Sequence, residues 1–242
     1  MRRTRKIRVG SPRKERMEQE ARIRTEMRRL RASSPRDLRR IAADRRYDEE
    51  SRSKTCWLLG QIGDREAAAT LLRLAEREAN DRVTHEALSA IGMIGDCSVT
   101  APLLKLLEGT AEKSRRAQIV YALWFLADRR AASALLNILN DSHEDDTTRG
   151  FAAEGLGSVR PTVDIVRALG NALSDSSVNV RMSALCALSS VYWCIPDELS
   201  GLLEAQVVPA IERRLDDHAA CPGEETVAEL ARSILQSWSS RE

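Results

Sequence analysis

Three stretches decide the fold: Leu58-Leu59-Gly60-Gln61-Ile62-Gly63-Asp64, Ala90-Ile91-Gly92-Met93-Ile94-Gly95-Asp96 and Ala122-Leu123-Trp124-Phe125-Leu126-Ala127-Asp128. They superpose at two successive shifts of 32 residues, and a fixed period of this size is the signature of stacked repeats. Weaker copies follow at Gly155-Leu156-Gly157-Ser158-Val159, 33 residues further on, and at Ala187-Leu188-Ser189-Ser190-Val191, another 32 on. Each copy has an apolar partner downstream. These are Leu71-Leu72-Arg73-Leu74, Leu103-Leu104-Lys105-Leu106, Leu135-Leu136-Asn137-Ile138, Leu169-Gly170-Asn171-Ala172 and, after an insertion of about nine residues, Ile211-Glu212-Arg213-Arg214-Leu215.

Within a unit the apolar residues recur at three and four positions, as in Leu71, Leu72, Leu74 and Ala75, and β-branched alternation is missing. Each unit therefore reads as two helices. Gly63 and Gly95 suit the left-handed residue that ends the first helix, and Asp64, Asp96 and Asp128 are placed to cap the second. Pro102 falls near a helix start, where a missing amide costs little. At one end, Ser34-Pro35 followed by Leu38, Ile41 and Ala42 reads as an N-cap, a first-turn proline and a closing half-unit. At the other, residues 224–238, with Val227, Leu230, Ala231, Ile234 and Leu235, read as a closing helix.

The two-helix unit, its period and an Arg six residues before the alanine-leucine step resemble the short HEAT-like repeats of the phycobilisome-lyase type. That Arg is Arg52, Arg116, Arg149 and Arg181, with Thr84 in its place in the second unit. The resemblance covers roughly residues 36–239 and implies an all-α, right-handed α-α superhelix of about five two-helix repeats plus capping helices, a HEAT/armadillo-like solenoid over 34–242. It also implies that the second helices line the inner curve. Such units serve scaffolds, lyase subunits and hydroxylases alike, so the fold carries little about function. The repeated Arg, with acids such as Asp146 and Asp175 nearby, is expected to form a structural ladder between adjacent units.

The chain has 242 residues, 43% of them apolar, enough for a substantial core. Its five Cys form no C-x-x-C pair, which argues against a disulfide framework or a zinc ribbon and makes a reducing, cytoplasmic setting the default. No run approaches the roughly 18 apolar residues needed to span a bilayer, and no apolar stretch follows the Arg-rich start to make a signal peptide. The net charge of +2 hides a division, since residues 1–46 hold 18 Lys and Arg against 6 Asp and Glu, leaving the remainder at −10. Residues 1–33 accordingly read as a basic extension, partly disordered with a basic helix.

Catalysis needs a nucleophile, a base and an orienter, or a metal shell, and the supply is poor. The three His, His85, His143 and His218, lie in different units without H-x-x-x-H spacing. Thr84-His85-Glu86-Ala87-Leu88 is similar to the His-Glu step in the HEAT repeats of deoxyhypusine hydroxylase, whose di-iron site draws such pairs from several repeats. Here the matching positions are Ser53-Lys54, Ala117-Gln118, Gly150-Phe151 and Met182-Ser183. One His and one carboxylate cannot hold two irons, so neither metal nor cofactor is expected. Trp57, Trp124 and Trp193 take different phases of their units and read as core or interface residues. The acidic solenoid argues against the DNA grip of HEAT-like alkylpurine DNA glycosylases.

Three surfaces remain as candidates for binding another protein or an anion. The polar residue inside each leucine step, namely Arg73, Lys105, Asn137, Asn171 and Arg213, forms with Arg77 a row suited to a carboxylate-bearing peptide. The insertion between Tyr192 and Val208 reads as an irregular loop offering Trp193 and Ile195. Arg2, Arg3, Arg5, Lys6 and Arg8 form a basic arm for nucleic acid or another anionic partner. Together these readings point to a non-catalytic protein-binding scaffold or adaptor using the concave face. The alternatives are an accessory subunit of a bilin-lyase-like enzyme and a nucleic-acid-associated factor acting through the arm.

Overall fold

The computed structural model describes residues 25, 28–79, 81–221 and 225–239, and among them it is helical with no strand, only an isolated bridge between Ala220 and Thr226. Helix α1 (Pro35–Ala43) stands at one end, preceded by helical residues 28–31, whose Leu30 is fully buried in the core. Five pairs follow: α2 (Glu49–Gln61) with α3 (Ala68–Arg77), α4 (Asp81–Ile94) with α5 (Thr100–Glu108), α6 (Lys113–Leu126) with α7 (Ala132–Asn140), α8 (Asp146–Gly157) with α9 (Val163–Ala172), and α10 (Val178–Cys194) with a composite second helix. Helix α13 (Val227–Ser239) closes the other end. One continuous core runs through all of these, from Leu30 to Trp238.

The caps follow from local chemistry. The Ser34 hydroxyl accepts from the Asp37 amide with Pro35 in the first turn, and the Asp48, Glu112, Asp145 and Thr162 side chains likewise accept amides at the starts of α2, α6, α8 and α9. Gly63 and Gly95 take φ of 65° and 68°, the left-handed turn expected of them. In the third unit Ala127 takes the same region at φ 49°, a conformation that costs a residue with a Cβ energy. Asp96 and Asp128 accept from the Ser98 and Arg130 amides, as the sequence predicts. Asp64 does not: its carboxylate receives the Arg39 guanidinium of α1, a stronger charge-assisted partner than a backbone amide.

The insertion is not an irregular loop. Helix α10 continues to Cys194, and α11 (Asp197–Leu202), a π-turn (Leu203–Val207) and α12 (Val208–Glu212) then run on as the fifth unit's second helix. Pro209 explains the π-turn. It donates no amide, and its ring crowds the carbonyl four residues back, so the preceding turn widens while the apolar Leu203, Val207, Ala210 and Ile211 stay buried.

The repeated Arg ties units together. The Arg52 guanidinium donates to the Ala42 carbonyl of α1 and to Glu78, both partners buried. Arg116 grips Glu144 at 2.6 Å while donating to the Leu107 and Thr110 carbonyls of the unit before it, each at 2.9 Å. Arg149 pairs with Asp146 and Asp175, and Arg181 pairs with Asp217 while donating to the Asp175 and Ser176 carbonyls. Arg52, Arg116 and Arg181 thus each join the end of the preceding unit to an acid further on, whereas Arg149 reaches only forward, to Asp175, and to Asp146 on its own helix. Where the second unit has Thr84, Arg115 from the third reaches back to the Thr84 hydroxyl and the Glu78 carbonyl.

Two substitutions test this packing. A methyl group on Gly157 would stand 2.7 Å from the Ala187 Cα, so Gly157→Val should lower stability by about 2–3 kcal/mol in urea denaturation. Ala127→Gly relieves the left-handed strain and should raise stability by up to about 1 kcal/mol.

Candidate functional site

The two helix layers do not pack equally. Consecutive first helices meet through small residues: a methyl on Gly60 would lie 3.0 Å from the Ala90 Cα, and Phe125 rests directly on Gly92 of the preceding unit. The second helices stand apart. A groove of about 570 Å3 separates α3 from α5, lined by Glu76, Pro102 and Lys105, and another of about 370 Å3 separates α9 from α12. Units held closer on one side must bend toward it, so the first helices form the inner arc.

This corrects the expected placement of the second-helix row. Arg73, Arg77, Lys105, Asn137, Asn171 and Arg213 are all exposed, but on the outer arc, where the spacing of the second helices spreads them out. Asn171 and Arg213 share the groove between α9 and α12, Arg73 and Arg77 share a cleft near α1, and Lys105 lies apart in the groove between α3 and α5. Trp193 is 55% exposed at the end of α10, whereas Ile195 is packed into a groove of about 780 Å3 beside Leu203, Leu235 and Trp238. Trp238 stacks on Tyr192 with ring centroids 4.3 Å apart, which closes the C-terminal end. Arg2, Arg3, Arg5, Lys6 and Arg8 lie outside the described residues.

The exposed strip of the inner arc carries an aromatic cluster that the sequence reading passed over. The Tyr121 ring sits 5.7 Å from Trp124, 4.8 Å from Phe125 and 5.2 Å from Phe151 of the next unit, and the Trp124 and Phe151 rings stack at 6.0 Å. Phe125 remains 46% exposed and Met93 beside it 37%, a large apolar area for a surface. A groove of about 660 Å3 crosses α4, α6 and the start of α8, lined by His85, Ser89, Gln118, Tyr121, Asp145 and Phe151. The signal was present in the repeat. Trp57, Ser89, Tyr121, Glu154 and Cys186 occupy equivalent positions of successive first helices, so Trp57 and Tyr121 share a row although Trp57 and Trp124 do not.

In that row Glu154 is half-buried, and loss of water pushes its carboxyl up to about 7, with the Ser183 hydroxyl acting in the opposite direction. It therefore carries a proton through much of the acid range and favours a cation once ionised. Among the described residues no group of three His, Cys, Asp or Glu could hold a metal ion. The Cys56 thiol is buried and pushed up to about 12, far from nucleophilic. No helix among the described residues is long and apolar enough to cross a membrane.

Because the folded state holds the Glu154 proton more tightly than the unfolded chain does, its contribution is fully present below the ordinary glutamate range and is lost as pH rises toward 7. Glu154→Gln should abolish that fall, making the variant more stable than the parent at pH 8 by on the order of 1–2 kcal/mol in paired urea titrations.

The family model for HEAT repeats matches residues 36–124 and 132–220. Among solved structures, the chain is similar to a designed armadillo repeat protein in complex with the peptide (KR)4, at 19% identity and a TM-score of 0.58, covering 85% of this chain and 100% of that one. A second designed armadillo repeat protein matches at 19% identity and a TM-score of 0.54, covering 85% and 99%. The complex of CpcE and CpcF of phycocyanin lyase from a Nostoc species is more distant, at 17% identity and a TM-score of 0.48, covering 85% and 94%. No curated protein matches the sequence. With its five helix pairs and two matched stretches that together span most of the residues, this chain belongs to the HEAT repeat family.

Proposed function

We propose that the chain is a non-catalytic scaffold that binds another protein along its inner arc. The observation that supports this reading is the Tyr121, Trp124, Phe125 and Phe151 cluster, in which Phe125 is exposed and the other three rings are half-buried, beside a groove on the repeat array. Aromatic side chains on a stiff support bury large areas at low entropic cost, and they dominate binding energy where partners meet. Asp145 lines the groove and Glu154 stands in the same repeat row as Tyr121, which favours an apolar or aromatic segment, helical or extended, with a basic residue beside its anchor. The likeness to a designed armadillo protein that carries a basic peptide is consistent with an array presenting one face to a chain segment.

Selection from a displayed peptide library, followed by titration, tests this. Selected peptides should carry an apolar anchor next to Lys or Arg and should shift the fluorescence of Trp124. The double variant Tyr121→Ala with Phe151→Ala should weaken capture about tenfold to a hundredfold while the chain stays folded by circular dichroism. Capture by the folded double variant as tight as by the parent would remove this face from the proposal.

A further inference from the structure

Three cationic side chains from two elements meet on the outer arc near α1. Arg45, from the turn after α1, and Arg73 and Arg77, one turn apart on α3, line one cleft of about 160 Å3 together with Thr70. All three are exposed, and none is ion-paired among the described residues. Arg52 and Glu78 also line the cleft, but they neutralise each other, and the other neighbouring acids are engaged elsewhere. Asp44 pairs with Arg46, which holds its carboxyl down at about 2, and Asp48 caps α2. Glu76 lines the next groove along, between α3 and α5.

Local structure accounts for only part of this. The Arg45 Nη2 donates to the Arg77 carbonyl at 3.2 Å and so completes the C-terminus of α3. Arg73 donates to the Thr70 hydroxyl at 2.9 Å, which orients its guanidinium along the cleft. One helix terminus explains one cation, not three converging on a single cleft. The one carboxylate in the cleft, Glu78, is already neutralised by Arg52, so the three remaining like charges repel and the arrangement gains if an anion enters. Guanidinium groups present paired N–H donors that match phosphate oxygens, and a hydroxyl supplies a further donor.

We propose that Arg45, Arg73, Arg77 and Thr70 form a binding site for a dianionic phosphate monoester. A cleft of this size admits a terminal phosphate, whereas a carboxylate would leave part of the donor set unused. The site lies on the layer opposite the aromatic groove, so it stands or falls independently of the protein-binding reading.

The test titrates the full chain with inorganic phosphate at constant ionic strength, with acetate as the control, following amide shifts by NMR. A second arm compares a phosphoserine peptide with its unphosphorylated form, to distinguish a free small anion from a modified side chain. Saturable shifts confined to α3 and the turn after α1 are expected, absent with acetate and weakened about tenfold or more in Arg73→Ala with Arg77→Ala. Lys105→Ala, on the neighbouring groove, should leave them unchanged. Phenylglyoxal labelling of the parent chain, read by mass spectrometry, gives the same answer without a substitution, since phosphate should protect Arg45, Arg73 and Arg77 but not Arg130. Non-saturating shifts, an equal response to acetate, or equal labelling with and without phosphate would overturn the site.

Discussion

Everything in this array depends on how closely consecutive first helices approach. Gly60 against Ala90, Gly92 under Phe125 and Gly157 against Ala187 leave no room for larger residues at these positions, so the helices of that layer approach closely. Between the second helices grooves open. The difference in spacing sets the direction of bend and decides which surface is gathered into a face and which is spread out. It also explains why first helices are buried nearly all round, with Thr55, Thr84 and Thr148 inside, while second helices keep a clear polar side.

The ladder of Arg residues supplies what apolar packing cannot, a fixed register between units. A guanidinium has enough donors to hold a carboxylate and two carbonyls at once, as Arg116 does with carbonyls at and just beyond the end of α5. Buried pairs of this kind contribute less to net stability than to specificity, because desolvation offsets much of their attraction. The substitution of Arg115 for the Arg missing at Thr84 fits that role: the donor comes from another helix, and the same turn is held.

The two surfaces carry different chemistry. The inner arc is aromatic and neutral at its centre, with Asp145 lining its groove and Glu154 in the same repeat row as Tyr121, while the cleft near α1 concentrates unpaired Arg. A rigid array can hold both without compromise, because each unit contacts only its neighbours and local surface chemistry is free to vary.

The sequence by itself determined the repeat, the two-helix unit, the left-handed turns at Gly63 and Gly95, the Ser34 cap and the Arg that recurs in step with them. These are local signals, written in spacing and in residues with one preferred backbone role. It also placed Arg73, Lys105, Asn137, Asn171 and Arg213 correctly on the solvent side of the second helices. Only the tertiary structure decided that this side faces outward, because curvature comes from the difference between two interhelical distances and neither distance is encoded in one helix alone. The same holds for Tyr121 and Phe151, which lie 30 positions apart in the sequence and become one surface when Gly155 lets α8 close against Trp124. It holds as well for the run from Asp197 to Glu212, where burial of Leu203 and Val207 bent a helix around Pro209 instead of breaking it.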